Sequence, residues 1–163
     1  MGHFEFVTEW YFDAPVALVW DAILRTDRWP LWWRGVDRVT LVRAGRADGT
    51  GFVYHYAMRG ALPYRLHFDM EAIAVEPLRT IEGIASGEVE GVGRWQFIAE
   101  GAGTRVRYFW NIRLTRTAMR ILSVVGRPVF AWNHDVVMRR GGVGLARYLR
   151  SQQIPQPASV LRE

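Results

Sequence analysis

The sequence has no cysteine and no lysine among its 163 residues. Without cysteine the chain can form no disulfide, no thiolate metal site and no cysteine nucleophile. Every side-chain cation other than histidine is therefore an arginine, and the formal net charge is +5. The arginines are scattered along the sequence rather than clustered. We interpret them as a solvated surface and expect no nucleic-acid partner, although the basic balance alone would permit one.

Long apolar runs and targeting signals are also missing. No apolar stretch reaches the roughly 18 residues that a membrane-spanning helix needs, so we expect no integral membrane association. The N-terminus has no basic region followed by an apolar one, which argues against a signal peptide. Together with the lack of cysteine, this favours a cytoplasmic protein.

Motifs for cofactors and metals are absent from the sequence. There is no GxGxxG before a helix, no phosphate loop and no HExxH. The four histidines lie far apart in the sequence and lack the short spacing of metal ligands. We therefore predict neither a metal site nor a cofactor.

Aromatic residues are abundant, with eight tryptophans, and half of all residues are hydrophobic. A chain of this length is one domain by the usual size relation and can bury a sizeable core. The aromatic surplus has two explanations, a lined cavity or an aromatic-rich core, and composition alone favours neither.

Alternation of apolar and polar residues predicts strands, and helical spacing predicts helices at both ends of the chain. Pro15 suits the first position of a helix, and Trp29-Pro30 is expected to end it, because the residue before a proline avoids the α region. A short helix or turn is predicted at 28–35. The remaining predicted helices are 116–125 and a long one from Pro128 to about Arg150, and the predicted strands are 3–12, 36–43, 50–59, 64–76, 79–87, 88–99 and 104–114.

This order of elements predicts an α+β protein in which an antiparallel sheet packs its apolar side on the last helix. Strands of this length twist, so the sheet should curl around that helix and leave a space beside it. Gly141-Gly142 marks either a bend in the helix or a close approach to the sheet. We place one domain at 1–151 and a flexible, proline-bearing tail at 152–163.

The first third of the chain resembles the START-like (SRPBCC) superfamily, in its polyketide cyclase/dehydrase and lipid transport branch. The residues that carry the resemblance are Ala14-Pro15, Val19-Trp20, Asp27 and Trp29-Pro30-x-Trp32. The order of elements agrees along nearly the whole chain. Ala17 departs from the pattern, since many relatives carry an acidic residue there.

The resemblance implies the helix-grip fold of the birch-pollen-allergen (Bet v 1-like) family. In that fold a seven-stranded antiparallel sheet curls around a long C-terminal helix, two short helices follow the first strand, and a cavity holds an apolar ligand. On this basis Trp29, Trp32 and Trp33 are expected to rim the entrance of the cavity.

The predicted ligand site is a lining of side chains from the apolar faces of the middle strands and the last helix. Tyrosines suit such a lining, because each combines apolar area with one hydroxyl that can orient a ligand. The alternative is that the same side chains meet and fill the core. The predicted lining consists of Tyr54, Tyr56, Tyr64, Phe68, Met70, Trp95, Phe97, Tyr108, Trp110, Phe130, Asn133 and Val137.

Three functions are compatible with this site. The first is binding, or binding and transport, of a hydrophobic or aromatic small molecule such as a lipid or a polyketide-like compound. The second is a cyclase/dehydrase-like enzyme in which His134 or Tyr108 moves protons. A histidine at the helix edge or in a satisfied hydrogen bond is the structural alternative for His134. The third is a regulatory domain with a vestigial pocket.

Overall fold

The computed structural model of the chain describes residues 2–153. Within these residues seven strands form one sheet, close to the predicted ranges. The predicted α+β class and the seven-stranded sheet are confirmed. The strands are β1 (His3–Phe12), β2 (Val36–Arg43), β3 (Val53–Met58), β4 (Leu66–Glu76), β5 (Thr80–Gly87), β6 (Val89–Glu100) and β7 (Gly103–Leu114).

All neighbouring strands of the sheet are antiparallel, in the order β1-β7-β6-β5-β4-β3-β2. The first two strands of the sequence therefore lie at opposite edges, and the other five form a meander between them. Successive side chains of a strand point to opposite faces of the sheet. This register therefore places one set of apolar side chains on the inner face of the curled sheet.

In the described part of the chain four α-helices accompany the sheet: α1 (Val16–Leu24), α2 (Trp29–Trp32), α3 (Arg116–Val125) and α4 (Arg127–Gln153). The two short helices after the first strand are confirmed. Pro15 lies one residue before α1 in an extended conformation rather than at its first position. The expectation that Trp29-Pro30 ends a helix is wrong. Pro30 lies in the first turn of α2, where a missing N–H breaks no helical hydrogen bond.

The glycines of α4 are sites of close approach, one of the two alternatives that the sequence left open. A Cβ atom at Gly141 would lie 2.5 Å from the Trp33 ring, and one at Gly142 would lie 2.9 Å from Nε1 of Trp10 on β1. At Gly144 a Cβ would overlap the Trp32 carbonyl oxygen. Only glycine lets the helix lie this close to α2 and the sheet.

The long helix presents a buried stripe to the sheet. Phe130, Asn133 and Leu145 lie on that stripe as predicted, while Val137 is half-buried and Met138 beside it is buried. The helix runs to Gln153, slightly beyond the predicted end. The rest of the predicted tail, 154–163, lies outside the described residues. Within residues 2–153, no helix combines the length and apolar character needed to cross a membrane.

Several arginines of the outer sheet face are paired with carboxylates rather than simply solvated. Glu9 on β1 accepts hydrogen bonds from Arg105 and Arg107 of β7, and Arg105 also pairs with Glu100. The hydrogen bonds from Arg107 and Arg105 lower the pKa of Glu9. These pairs are exposed cross-strand contacts, each of which contributes little to stability.

Candidate functional site

A cavity of about 380 Å³ lies between the inner face of the sheet and α4. This volume is within the range of small-molecule sites. The structure brings together all the predicted lining residues except Phe97: Tyr54, Tyr56, Tyr64, Phe68, Met70, Trp95, Tyr108, Trp110, Phe130, Asn133 and Val137 line the cavity.

Phe97 is buried but lies outside the cavity wall. Its ring contacts Trp20 of α1, with the centroids 5.0 Å apart. Phe97 shares the inner face of β6 with Trp95 but is two residues further along the strand, where α1 covers the sheet. Its assignment to the lining is therefore corrected to the core beneath α1.

Six aromatic rings of the wall form a closed circuit of contacts, which we call the aromatic circuit. Its neighbouring ring centroids are 4.1 to 6.0 Å apart, the spacing of favourable aromatic pairs. The rings come from four strands and α2, so the circuit spans the curled sheet and closes on the short helix. In order of contact its members are Tyr56, Trp29, Trp95, Tyr108, Trp110 and Phe68.

The tryptophans of α2 and of the residue after it are buried, not exposed at an entrance. Trp29 and Trp33 line the cavity, whereas Trp32 does not and instead packs against Tyr148 of α4. The Trp29 indole N–H donates to the Ile23 carbonyl, and that of Trp33 donates to the Val137 carbonyl. These hydrogen bonds fix the rings in the wall. The expectation that the three tryptophans rim the entrance is therefore corrected.

Two glycines directly opposite each other on β5 and β6 leave room for larger lining side chains. Gly83 pairs with Gly93 in the sheet. A Cβ at Gly83 would lie 2.8 Å from Cε of Met70, and one at Gly93 would lie 2.6 Å from the Tyr108 hydroxyl oxygen. The absence of side chains at this pair lets Met70 and Tyr108 occupy the space over the strands.

Asn133 is buried, and its side chain holds a loop. Its Oδ1 accepts hydrogen bonds from the backbone N–H groups of Ala61 (2.7 Å) and Leu62 (3.1 Å). Its amide also interacts with the Tyr64 hydroxyl, although burial dominates and raises the pKa of Tyr64. The polar atoms of Asn133 are thus engaged by the protein itself, so its main role in the wall is to anchor the loop after β3.

His134 lies in the cavity wall with its ring stacked on Phe6, the centroids 3.8 Å apart. Both ring nitrogens are buried and have no hydrogen-bond partner within residues 2–153. Nδ1 is 3.7 Å from Oδ1 of the exposed Asp135, too far for a hydrogen bond. Burial lowers the pKa of His134 to about 4, so the imidazole is neutral at pH 7.

Three hydroxyl side chains from different elements line the cavity: Thr26, Tyr56 and Tyr108. Thr26, missed by the sequence analysis, belongs to the turn between α1 and α2 and lines the cavity. Its Oγ1 is buried beside Tyr56 but outside hydrogen-bond geometry. Burial raises the pKa of both tyrosines above the usual range, so their hydroxyls stay protonated.

Two histidines that are distant in the sequence meet on the outer face of the sheet. Nε2 of His55 lies 3.3 Å from Nδ1 of His67, and Nδ1 of His55 lies 2.6 Å from Oδ1 of Asp69. Strand pairing between β3 and β4 produces this contact, which sequence spacing did not indicate. Within residues 2–153, no group of three ligating side chains is placed to hold a metal ion.

Comparison with known proteins identifies a family. A model described as polyketide cyclase/dehydrase and lipid transport matches residues 3–150. No curated protein gives a match to the sequence.

Solved structures share the fold at low sequence identity. A START superfamily protein from Mycobacterium smegmatis aligns with a TM-score of 0.74 at 10% identity, over 93% of this chain and 100% of that one. Protein TTHA0849 from Thermus thermophilus aligns with a TM-score of 0.71 at 19% identity, over 92% of this chain and 99% of that one. The Zhui aromatase/cyclase from Streptomyces sp. R1128 aligns with a TM-score of 0.65 at 16% identity, over 92% of this chain and 93% of that one. At these identities the likeness concerns the fold.

Proposed function

We propose that this chain, which belongs to the polyketide cyclase/dehydrase and lipid transport family, binds a hydrophobic or aromatic small molecule in the cavity between its sheet and α4. The observation that supports this most is the cavity itself. Its volume is that of a small-molecule site, and its wall is mainly aromatic and aliphatic. Removing an apolar ligand from water into such a wall is favourable in proportion to the area buried.

Binding is favoured over catalysis by the state of the titratable groups in the wall. An acid–base enzyme needs a proton-transferring group within hydrogen-bond reach of the substrate. Both nitrogens of His134 are buried, and its nearest carboxylate, on Asp135, is beyond hydrogen-bond distance. The buried tyrosines have raised pKa values, which makes them poor bases at neutral pH. The second candidate is a cyclase/dehydrase-like enzyme, supported by the family description and by the similarity to an aromatase/cyclase.

The proposal is tested by titrating the purified protein with N-phenyl-1-naphthylamine, an uncharged probe that fluoresces in apolar surroundings. We expect saturable binding with quenching of the protein's tryptophan fluorescence, because Trp29, Trp33, Trp95 and Trp110 line the cavity. Native mass spectrometry with extraction of bound lipids would identify a ligand that copurifies.

Two variants of β4 locate the binding site. Ala72 lines the cavity, whereas Ala74 on the same strand is exposed and does not. Ala72→Phe should fill the cavity and abolish probe binding, and the matched control Ala74→Phe should leave it unchanged. Absence of saturable binding to the wild type, or equal binding by both variants, would refute a ligand site in this cavity.

A further inference from the structure

The contact between His55 and His67 lies on the face of the sheet that points away from the cavity. His55 belongs to β3, and His67 and Asp69 belong to β4. Asp69 is the direct partner of His55 in the strand register, and His67 lies diagonally across from it. We call these three residues the outer histidine site. None of the three lines the cavity, so the site is separate from the proposed ligand site.

Asp69 determines which nitrogen of His55 keeps a lone pair. Oδ1 of Asp69 lies 2.6 Å from Nδ1 of His55. A carboxylate only accepts hydrogen bonds, so Nδ1 carries the proton and the neutral imidazole keeps its lone pair on Nε2. Histidines that bind metal ions are commonly held in this way, with a carboxylate on the nitrogen that faces away from the metal. His55 is thus oriented as a metal ligand.

A second imidazole nitrogen lies at the distance that a shared metal ion requires. Nε2 of His55 and Nδ1 of His67 are 3.3 Å apart. Two nitrogens that bind one zinc ion tetrahedrally, each about 2.0–2.1 Å from it, are themselves about 3.3–3.4 Å apart. Rotation about χ2, a soft torsion in histidine, would turn both lone pairs toward the ion. His67 would then carry its proton on Nε2 instead of Nδ1, by exchange with water.

The surroundings of the site select a class of metal ion. The side chains of His55 and Asp69 are each 40% exposed, and His67 is exposed, so an ion can reach the site from solvent. No third ligating side chain joins the pair within residues 2–153, and water would fill the remaining positions. Imidazole nitrogens suit Zn²⁺, Cu²⁺ and Ni²⁺, whereas Mg²⁺ and Ca²⁺ prefer oxygen ligands.

We propose that His55 and His67 bind one divalent transition-metal ion such as Zn²⁺, with Asp69 as a positioning residue. This departs from the prediction of no metal site, which used spacing along the sequence alone. The ion would join β3 to β4 behind the cavity wall, since Tyr56 and Phe68, which follow the two histidines in sequence, are paired on the inner face. The proposal does not depend on what the cavity binds.

Calorimetric titration of the untagged protein with zinc chloride tests the site. The wild type should bind one Zn²⁺ per chain and no Mg²⁺. His67→Asn removes one ligand and should weaken zinc binding by more than about tenfold. His3→Asn is the matched control, because His3 also lies on an exposed strand face, where it contacts Asn111, and it should keep the affinity of the wild type. Asp69→Asn should weaken binding about tenfold without changing the stoichiometry.

Nitrogen NMR of the histidine rings provides a second measurement. One equivalent of Zn²⁺ should shift the signals of His55 and His67 together and leave those of His3 unchanged. In the metal-free wild type, the nitrogen shifts of His55 should report a proton on Nδ1, and this signature should weaken in Asp69→Asn. No saturable zinc binding below about 1 mM, or equal binding by the wild type and His67→Asn, would overturn the site. Unchanged affinity and nitrogen shifts in Asp69→Asn would overturn the positioning role.

Discussion

His134 should make the stability of the folded protein strongly dependent on pH. Burial lowers its pKa from the ordinary value of 6.5 to about 4. Between these two values the unfolded chain binds a proton at His134 that the folded chain does not. Unfolding is therefore increasingly favoured as the pH falls through this window. At about 1.4 kcal/mol per pH unit, the folded state should lose about 3 kcal/mol between pH 7 and pH 4 through this residue.

The perturbation is His134→Phe, which keeps a flat ring against Phe6 and removes both unpaired nitrogens. The assay is urea denaturation at pH 7, 6, 5 and 4, with the free energy of unfolding extrapolated to water. The carboxylates of the chain are common to both proteins, so their contribution cancels in the difference. We expect the wild type to lose about 3 kcal/mol more than the variant.

A surface replacement provides the control for this experiment. His3→Phe removes an imidazole near the N-terminus, where the side chain hydrogen-bonds only to Asn111 within the described residues. This variant should keep the steep pH dependence of the wild type. Parallel loss of stability in the wild type and His134→Phe would show that His134 is not buried in its neutral form, and would contradict the reasoning.

Two further substitutions test the contacts of α4. Gly144→Ala should cost about 1–3 kcal/mol despite the better helix propensity of alanine, since its Cβ would overlap the Trp32 carbonyl oxygen. The control is Val143→Ala at an exposed position of the same helix, which should hardly change the free energy of unfolding in urea denaturation. A gain in stability for Gly144→Ala would contradict the close packing of α4 on Trp32. Asn133→Leu should cost about 1–3 kcal/mol by leaving two loop amides unpaired. Hydrogen exchange at 61–62 should then accelerate, and unchanged exchange would exclude this anchoring.

The strands were predictable because alternation is a local signal that one buried sheet face imposes on the sequence. The ends of the helices were less predictable from the sequence. Pro15 has a backbone geometry that suits both the first helical residue and the residue before it, and the structure adopts the latter. Pro30 can stop one helix or start another, and only the packing of the tryptophans around it decides between these outcomes.

In the cavity wall, too, some features could be predicted from local sequence patterns and others could not. Alternation correctly put Trp95 and Phe97 on one face of β6, but it carries no information on how far along the strand the cavity extends. Thr26 was missed, and Trp29 and Trp33 were expected at the entrance rather than in the wall, because a turn and a short helix have no periodicity that marks an inward side chain. The contact between His55 and His67 depends on strand register, which spacing along the chain does not reveal.

The cavity is proposed to be a ligand site rather than a core filled by its own side chains. A crystal structure of the protein soaked with 2-acetylnaphthalene tests this most directly. We expect electron density for the naphthalene ring inside the cavity, against the Trp95 and Tyr108 rings. A cavity closed by repacked side chains, with the probe absent or bound only at the surface, would contradict it.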